Sequence, residues 1–157
     1  MTIFKEIYDL LYNNDCVIVP GFGAFVLKSH SAYIKDDTFY PPRKVISFNA
    51  MLDENDGLLV KHLSTSRNIS YKKALKTINN ETQSLKNELS ADKKIKIDPL
   101  GYIALSSEGN LVFYPEESIN FESNSFGLTS FSKQPILKSV KKDVPFKTAS
   151  TITPVLR

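Results

Sequence analysis

The stretch Val17-Ile-Val-Pro-Gly-Phe-Gly-Ala-Phe-Val-Leu27 constrains this chain more than any other. It reads as two strands meeting at a glycine-bearing corner. Val17 and Val19 alternate before the corner, and Phe25 and Leu27 alternate beyond it. Pro20 has no N–H to give a ladder, so it belongs at an edge or a bend. Gly21 and Gly23 supply backbone freedom that a side chain forbids. Phe22, between them, is then free to turn into a core.

The same pattern returns at an offset of 78 residues, in Ile95-Lys-Ile-Asp-Pro-Leu-Gly-Tyr-Ile-Ala-Leu105. Val17 answers to Ile95, Val19 to Ile97, Phe22 to Leu100, Gly23 to Gly101, Phe25 to Ile103 and Leu27 to Leu105. An internal repeat of this length predicts two copies of one supersecondary unit.

The chain of 157 residues is long enough for one ordinary domain or two small ones. Its 41% hydrophobic content, with ten Phe and seven Tyr, can build a core. No run approaches the ~18 apolar residues of a membrane helix. The start, Met1-Thr-Ile-Phe-Lys-Glu6, has an early acidic residue and no small-residue cleavage site, so no signal peptide is expected. The one cysteine, Cys16, excludes an internal disulfide and a cysteine-cluster metal site. It is expected to pack at the start of a strand. A cytoplasmic location follows as an expectation. Charge is unevenly divided. Residues 1–131 hold 14 Lys/Arg and 16 Asp/Glu, whereas residues 132–157 hold six Lys/Arg and one Asp.

In chain order, residues 2–12 read as an amphipathic helix capped by Thr2, with Ile3, Phe4, Ile7, Leu10 and Leu11 on its apolar face. The first strand-corner-strand unit follows at 16–28. Residues 29–44 are a looser excursion, an extended arm or a β-ribbon. Its Tyr33, Phe39 and Tyr40 are expected either to pack against the next strand, 45–49, or to offer a binding surface. A helix is expected over 58–67, with Asp56 as cap. A longer one follows over 71–90, capped by Ser70 and striped by Tyr71, Ala74, Leu75, Ile78, Leu85 and Leu89. The second unit spans 94–106, and Ser107-Glu-Gly-Asn110 marks a tight hairpin into a last strand, 111–114. Phe121, Phe126, Leu128 and Phe131 are expected to cover the core. Residues 132–157, rich in Lys, Ser, Thr and Pro, read as a flexible tail.

This order resembles the HU/IHF superfamily of small DNA-bending proteins, most sharply at Gly21-Phe-Gly-Ala-Phe25. More specifically, the chain resembles the bacterial tandem HU-like domains related to coiled-coil-domain-containing protein 81. Pro20 to Phe25, Pro41-Pro-Arg-Lys44, Ile46-Ser-Phe-Asn49, Asn55-Asp-Gly-Leu-Leu59, Asn120-Phe121 and Phe126-Gly-Leu128 carry the match. The resemblance implies an α+β fold of two tandem HU/IHF-like units, each with helices and a three-stranded antiparallel sheet, forming an intramolecular pseudo-dimer. The expected division is a first unit over 1–56, a second over 57–131 and a basic tail or juxtamembrane linker over 132–157. The fold signature is Pro20, Gly21, Phe22, Gly23, Phe25 and Gly101. The helix at 58–67 is expected to close the first unit and open the second. Such tandem domains often head a membrane protein that continues into a transmembrane helix and a peptidoglycan-binding SPOR domain. Any membrane contact is then expected only through a segment beyond residue 157.

DNA bending in that superfamily uses basic arms tipped by an apolar wedge. Here the arm carries Lys28, Lys35, Arg43 and Lys44 beside Asp36 and Asp37. Neutralising about four phosphates supports only weak, salt-labile binding. The residues therefore favour a non-enzymatic scaffold with a protein partner, and weak DNA binding is the alternative. The arm, with Lys28, Tyr33, Lys35, Phe39, Tyr40, Arg43 and Lys44, is the candidate surface for either. No catalytic residue, metal or cofactor is expected. His30 and His62 lack ligand spacing, and Gly21-Phe-Gly23 lacks the remainder of a phosphate loop. A monomer or weak dimer is expected.

Overall fold

The computed structural model describes residues 3–133. Helix α1 (Ile3–Leu11) buries Ile3, Phe4, Ile7, Leu10 and Leu11, the face its spacing predicted. Thr2 lies outside the described residues. Strands β1 (Cys16–Val19) and β2 (Gly23–His30) meet at the glycine corner. The excursion is a ribbon, β3 (Tyr33–Lys35) and β4 (Thr38–Tyr40), and the chain returns in β5 (Arg43–Asn49). Helix α2 (Leu58–Ser66) is capped by Gly57 rather than Asp56, although the Asp56 carboxylate accepts the Leu58 N–H at 3.0 Å. Helix α3 (Tyr71–Asp92) begins at Ser70, whose hydroxyl accepts the Lys73 N–H. Its stripe is Ala74, Ile78, Thr82, Leu85 and Leu89. Tyr71 falls off the stripe, half exposed, and its hydroxyl accepts from the Asn55 amide. Strands β6 (Lys94–Ile97), β7 (Gly101–Leu105) and β8 (Leu111–Pro115) complete the second unit. A 3-10 turn (Ser123–Ser125) and a short strand β9 (Phe131–Ser132) end the described chain.

The two units share one frame. Their sheets run β1-β2-β5 and β6-β7-β8, both antiparallel. Phe22 N–H donates to Val19 O at 3.0 Å, and Leu100 N–H to Ile97 O at 2.8 Å. Leu27 N–H reaches back to Asp15 O, and Leu105 N–H to Lys93 O, again 78 residues on. Gly23 and Gly101 have φ of +147° and +137°. A Cβ on Gly23 would meet the Phe48 ring and, at 2.8 Å, Asn49 O. On Gly101 it would meet Tyr114 O and, at 2.9 Å, Glu116 N. Backbone conformation and space therefore demand glycine at both corners. The same offset maps α1 onto the second half of α3, so Phe4, Ile7 and Leu11 correspond to Thr82, Leu85 and Leu89, all buried.

The units clasp each other. Phe22, Phe25, Leu100 and Ile103 belong to one continuous core. Phe25 pairs with Phe48 across β2 and β5, as Ile103 pairs with Phe113 across β7 and β8. Phe48 and Phe113 are therefore counterparts, and their rings lie 6.5 Å apart. Ile3 and Glu81 are counterparts too, and the Ile3 N–H donates to the Glu81 carboxylate at 3.3 Å. Contacts between copies of one position mark an approximate twofold axis. Helix α2 packs against α1, β1 and α3, so it serves both units. Burying Phe25 or Ile103 stabilises by about 1.5–3 kcal/mol each.

Candidate functional site

Two-residue hairpins with both central residues at positive φ are type I′ turns. Asp36 and Asp37, at φ +48° and +59°, make that turn at the tip of the arm. Tyr33 pairs with Tyr40, Ile34 with Phe39 and Lys35 with Thr38. Alternation then divides the ribbon into two faces. Tyr33 and Tyr40 stack on one face, 4.7 Å apart at 10°. Ile34 and Phe39 share the other.

β9 joins this ribbon, pairing Phe131 with Phe39 and Ser132 with Thr38. The Phe39 and Phe131 rings are 5.1 Å apart, and the Thr38 and Ser132 hydroxyls are 2.9 Å apart. Lys133 N–H donates to Asp37 O. Two expectations are corrected here. Ser132 is a strand residue and Lys133 is hydrogen-bonded, so ordered pairing runs past the change in composition; residues 134–157 lie outside the described residues. The predicted core cover is also reduced to Phe121, packed on Tyr8 and Tyr12. Phe126 is 95% exposed, and Leu128 and Phe131 are exposed as well.

The segment between β8 and β9 straps the second unit to the base of the arm. Asn120 accepts the Lys44 N–H at 3.0 Å and donates to Pro42 O, while Phe121 N–H donates to Lys44 O. The sequence marked Asn120-Phe121 through the family resemblance, but nothing in the run from 116 to 131 gave their partner. A lone Asn beside a Phe has no period, and its partner lies 76 residues away.

Strand parity separates the four arm cations. Lys28 and Arg43 lie on the outward face, opposite in phase to Leu27 and Ile46. Lys44 lies in phase with Ile46 and Phe48, and its ammonium binds Asp15 at 2.8 Å. That hydrogen bond raises the Lys44 pKa, against a smaller opposing effect of burial. Lys35 stands beside the tip. Arg43 and His30 line a half-open groove of about 420 Å³ together with Tyr33, Glu116 and Glu117. Charges of both signs therefore meet at the arm's base. Packing on the 45–49 strand, one of the two expectations for these rings, is seen only for Tyr33, which lines that groove beside Val45 and Ile46. Tyr33 and Tyr40 take each other as ring partners, and Phe39 takes Phe131 of β9.

On the second unit's outward face Tyr102 and Tyr114 stack at 4.6 Å, with the Lys94 ammonium 3.8 Å above Tyr102. Lys96 bonds to Asp98 at 3.1 Å. His30 and His62 are not brought together. His62 Nε2 lies 2.9 Å from the Glu6 carboxylate, which also takes Arg67 at 3.6 Å, clasping α1 to α2. Tyr12 has its pKa pushed up to about 12, first by its 2.7 Å hydrogen bond with Tyr8 and then by burial. Burial, and then the Asp56 carboxylate, raise the Cys16 thiol. Among the described residues no group of three or more His, Cys, Asp or Glu is placed to hold a metal. No helix among them is long and apolar enough to cross a membrane.

Two glycine-cornered sheets closing on each other through a shared helical layer define an HU-type pseudo-dimer. Residues 1–56 match the CCDC81-like prokaryotic HU domain 1, and residues 57–126 match the CCDC81-like prokaryotic HU domain 2. The chain belongs to this family of tandem HU-like proteins. No curated protein and no solved structure matches it.

Proposed function

We propose that this chain is a non-enzymatic, cytoplasmic interaction head that engages a protein partner through its arm, within a SPOR-type cell-envelope or cell-division protein. One observation carries the reading: the arm is tethered. A DNA-bending arm must follow a minor groove with its cations presented to phosphate. Here β9 and Asn120 hold the arm to the second unit, and Asp15 engages Lys44. Beside its exposed Lys28, Lys35 and Arg43 the arm presents apolar surface, Ile34 with Phe131 of β9 at the other end of the row, the kind of surface protein partners bury. The basic residues of 132–157 suit the cytoplasmic side of a membrane anchor.

DNA binding is the second reading, favoured by Lys28, Arg43, Lys94 and the Tyr102–Tyr114 pair on the outward sheet faces. Titration of a labelled duplex at low salt separates the two. The chain ended after Lys133, which keeps β9 while removing the basic tail, is expected to bind no tighter than tens of micromolar. A sub-micromolar dissociation constant with a steep salt slope would overturn the interaction-head reading.

A further inference from the structure

The open edge of the arm has a defined hydrogen-bonding phase. Lys133 N–H donates to Asp37 O, so the polar groups of Asp37 and, two residues on, Phe39 face β9. Those of Thr38 face β3, where it pairs with Lys35. The main-chain N–H and C=O of Ile34, one residue from Lys35, therefore point away from β4. β3 is the edge of the order β3-β4-β9, and all three of its residues are exposed. An unpaired edge of this kind is a template for another strand. The side chain at its centre, Ile34, is 73% exposed and ends the apolar row Phe131–Phe39–Ile34.

We propose that two copies of this chain pair edge to edge through β3, antiparallel, with Ile34 opposite Ile34 of the second copy. The sequence of β3 is self-complementary in that register. Ile34 exchanges both main-chain hydrogen bonds with its mate. Tyr33 stands opposite Lys35 of the other copy, and Lys35 opposite its Tyr33. An edge lysine ordinarily blocks such pairing. Here each ammonium meets a Tyr33 ring whose other face is covered by Tyr40, an arrangement that favours a cation. No like charges face each other. The two arm sheets become one of six strands, and the apolar row doubles in length.

Only three residues per copy meet, far below a standard interface, so the dimer is weak. Half-association is expected on the order of 10⁻⁴ M. Colocalisation of copies on one surface would raise the effective concentration toward that value.

Sedimentation velocity of the full chain from about 10 μM to about 1 mM tests the pairing and is independent of the duplex titration. The weight-average coefficient should rise reversibly with concentration, and exchange of the Ile34 amide hydrogen should slow in parallel. Ile34→Lys should abolish both changes, whereas Phe126→Ser, off the row, should leave them intact. A chain that stays monomeric to 1 mM would overturn the proposal. So would a dimer that survives Ile34→Lys, or one that forms without protecting the Ile34 amide, which would mean another surface joins the copies.

Discussion

The two units differ chiefly in one hairpin. Between Leu27 and Ile46 the first unit has 18 residues; between Leu105 and Leu111, paired in the matching register, the second has five. The core does not register the difference. Phe25 meets Phe48 as Ile103 meets Phe113, and both glycine corners keep their hydrogen bonds. Positions facing the partner unit are held by contact across the pseudo-twofold, while a hairpin leaving the far end is free to lengthen. The arm is thus an addition to a fixed frame, and the second unit's C-terminal strap anchors it.

The corners differ in what crowds them, and this difference gives the largest expected effect. Gly101→Ala should cost about 3 kcal/mol or more, because the added carbon meets backbone that cannot retreat. Gly23→Ala should cost about 2 kcal/mol, since the Phe48 ring can turn aside although Asn49 O remains. Urea midpoints of the two variants measure this, and equal losses would erase the asymmetry. The strap gives the next contrast. Phe121→Ala, removing a ring buried on Tyr8 and Tyr12, should cost about 3 kcal/mol. Phe126→Ala, five residues on, should stay within about 0.5 kcal/mol. Comparable losses would mean that both residues cover the core.

A gain rather than a loss is expected at Thr82, the counterpart of Phe4. The Thr82 hydroxyl is buried without a partner among the described residues. Thr82→Val should raise stability by about 1 kcal/mol, read as a higher thermal midpoint. A lower midpoint would show that the hydroxyl is satisfied by water.

The frame was legible because its signals are periodic. Val17, Val19, Phe25 and Leu27 alternate, glycine stands where φ is positive, and the offset of 78 recovers the second copy. The division of the arm cations was also available from parity, since Lys44 is two residues from Ile46. Its partner Asp15, 29 residues away, was not. β9 was illegible for a different reason. Two residues cannot show a period, and their strand character comes from the edge of β4 they dock against. Phe126, Leu128 and Phe131 misled because isolated apolar residues among Ser, Asn and Gly do not disclose which way they face.

Native-state hydrogen exchange on Gly101→Ala tests most directly whether the two units hold each other folded. If they form one cooperative core, the slowest amides of β2 and of β7 should lose the same opening free energy, although the substitution touches only the second unit. Loss of protection confined to residues 94–115, with 16–30 unchanged, would show two modules that fold separately and contradict the clasp.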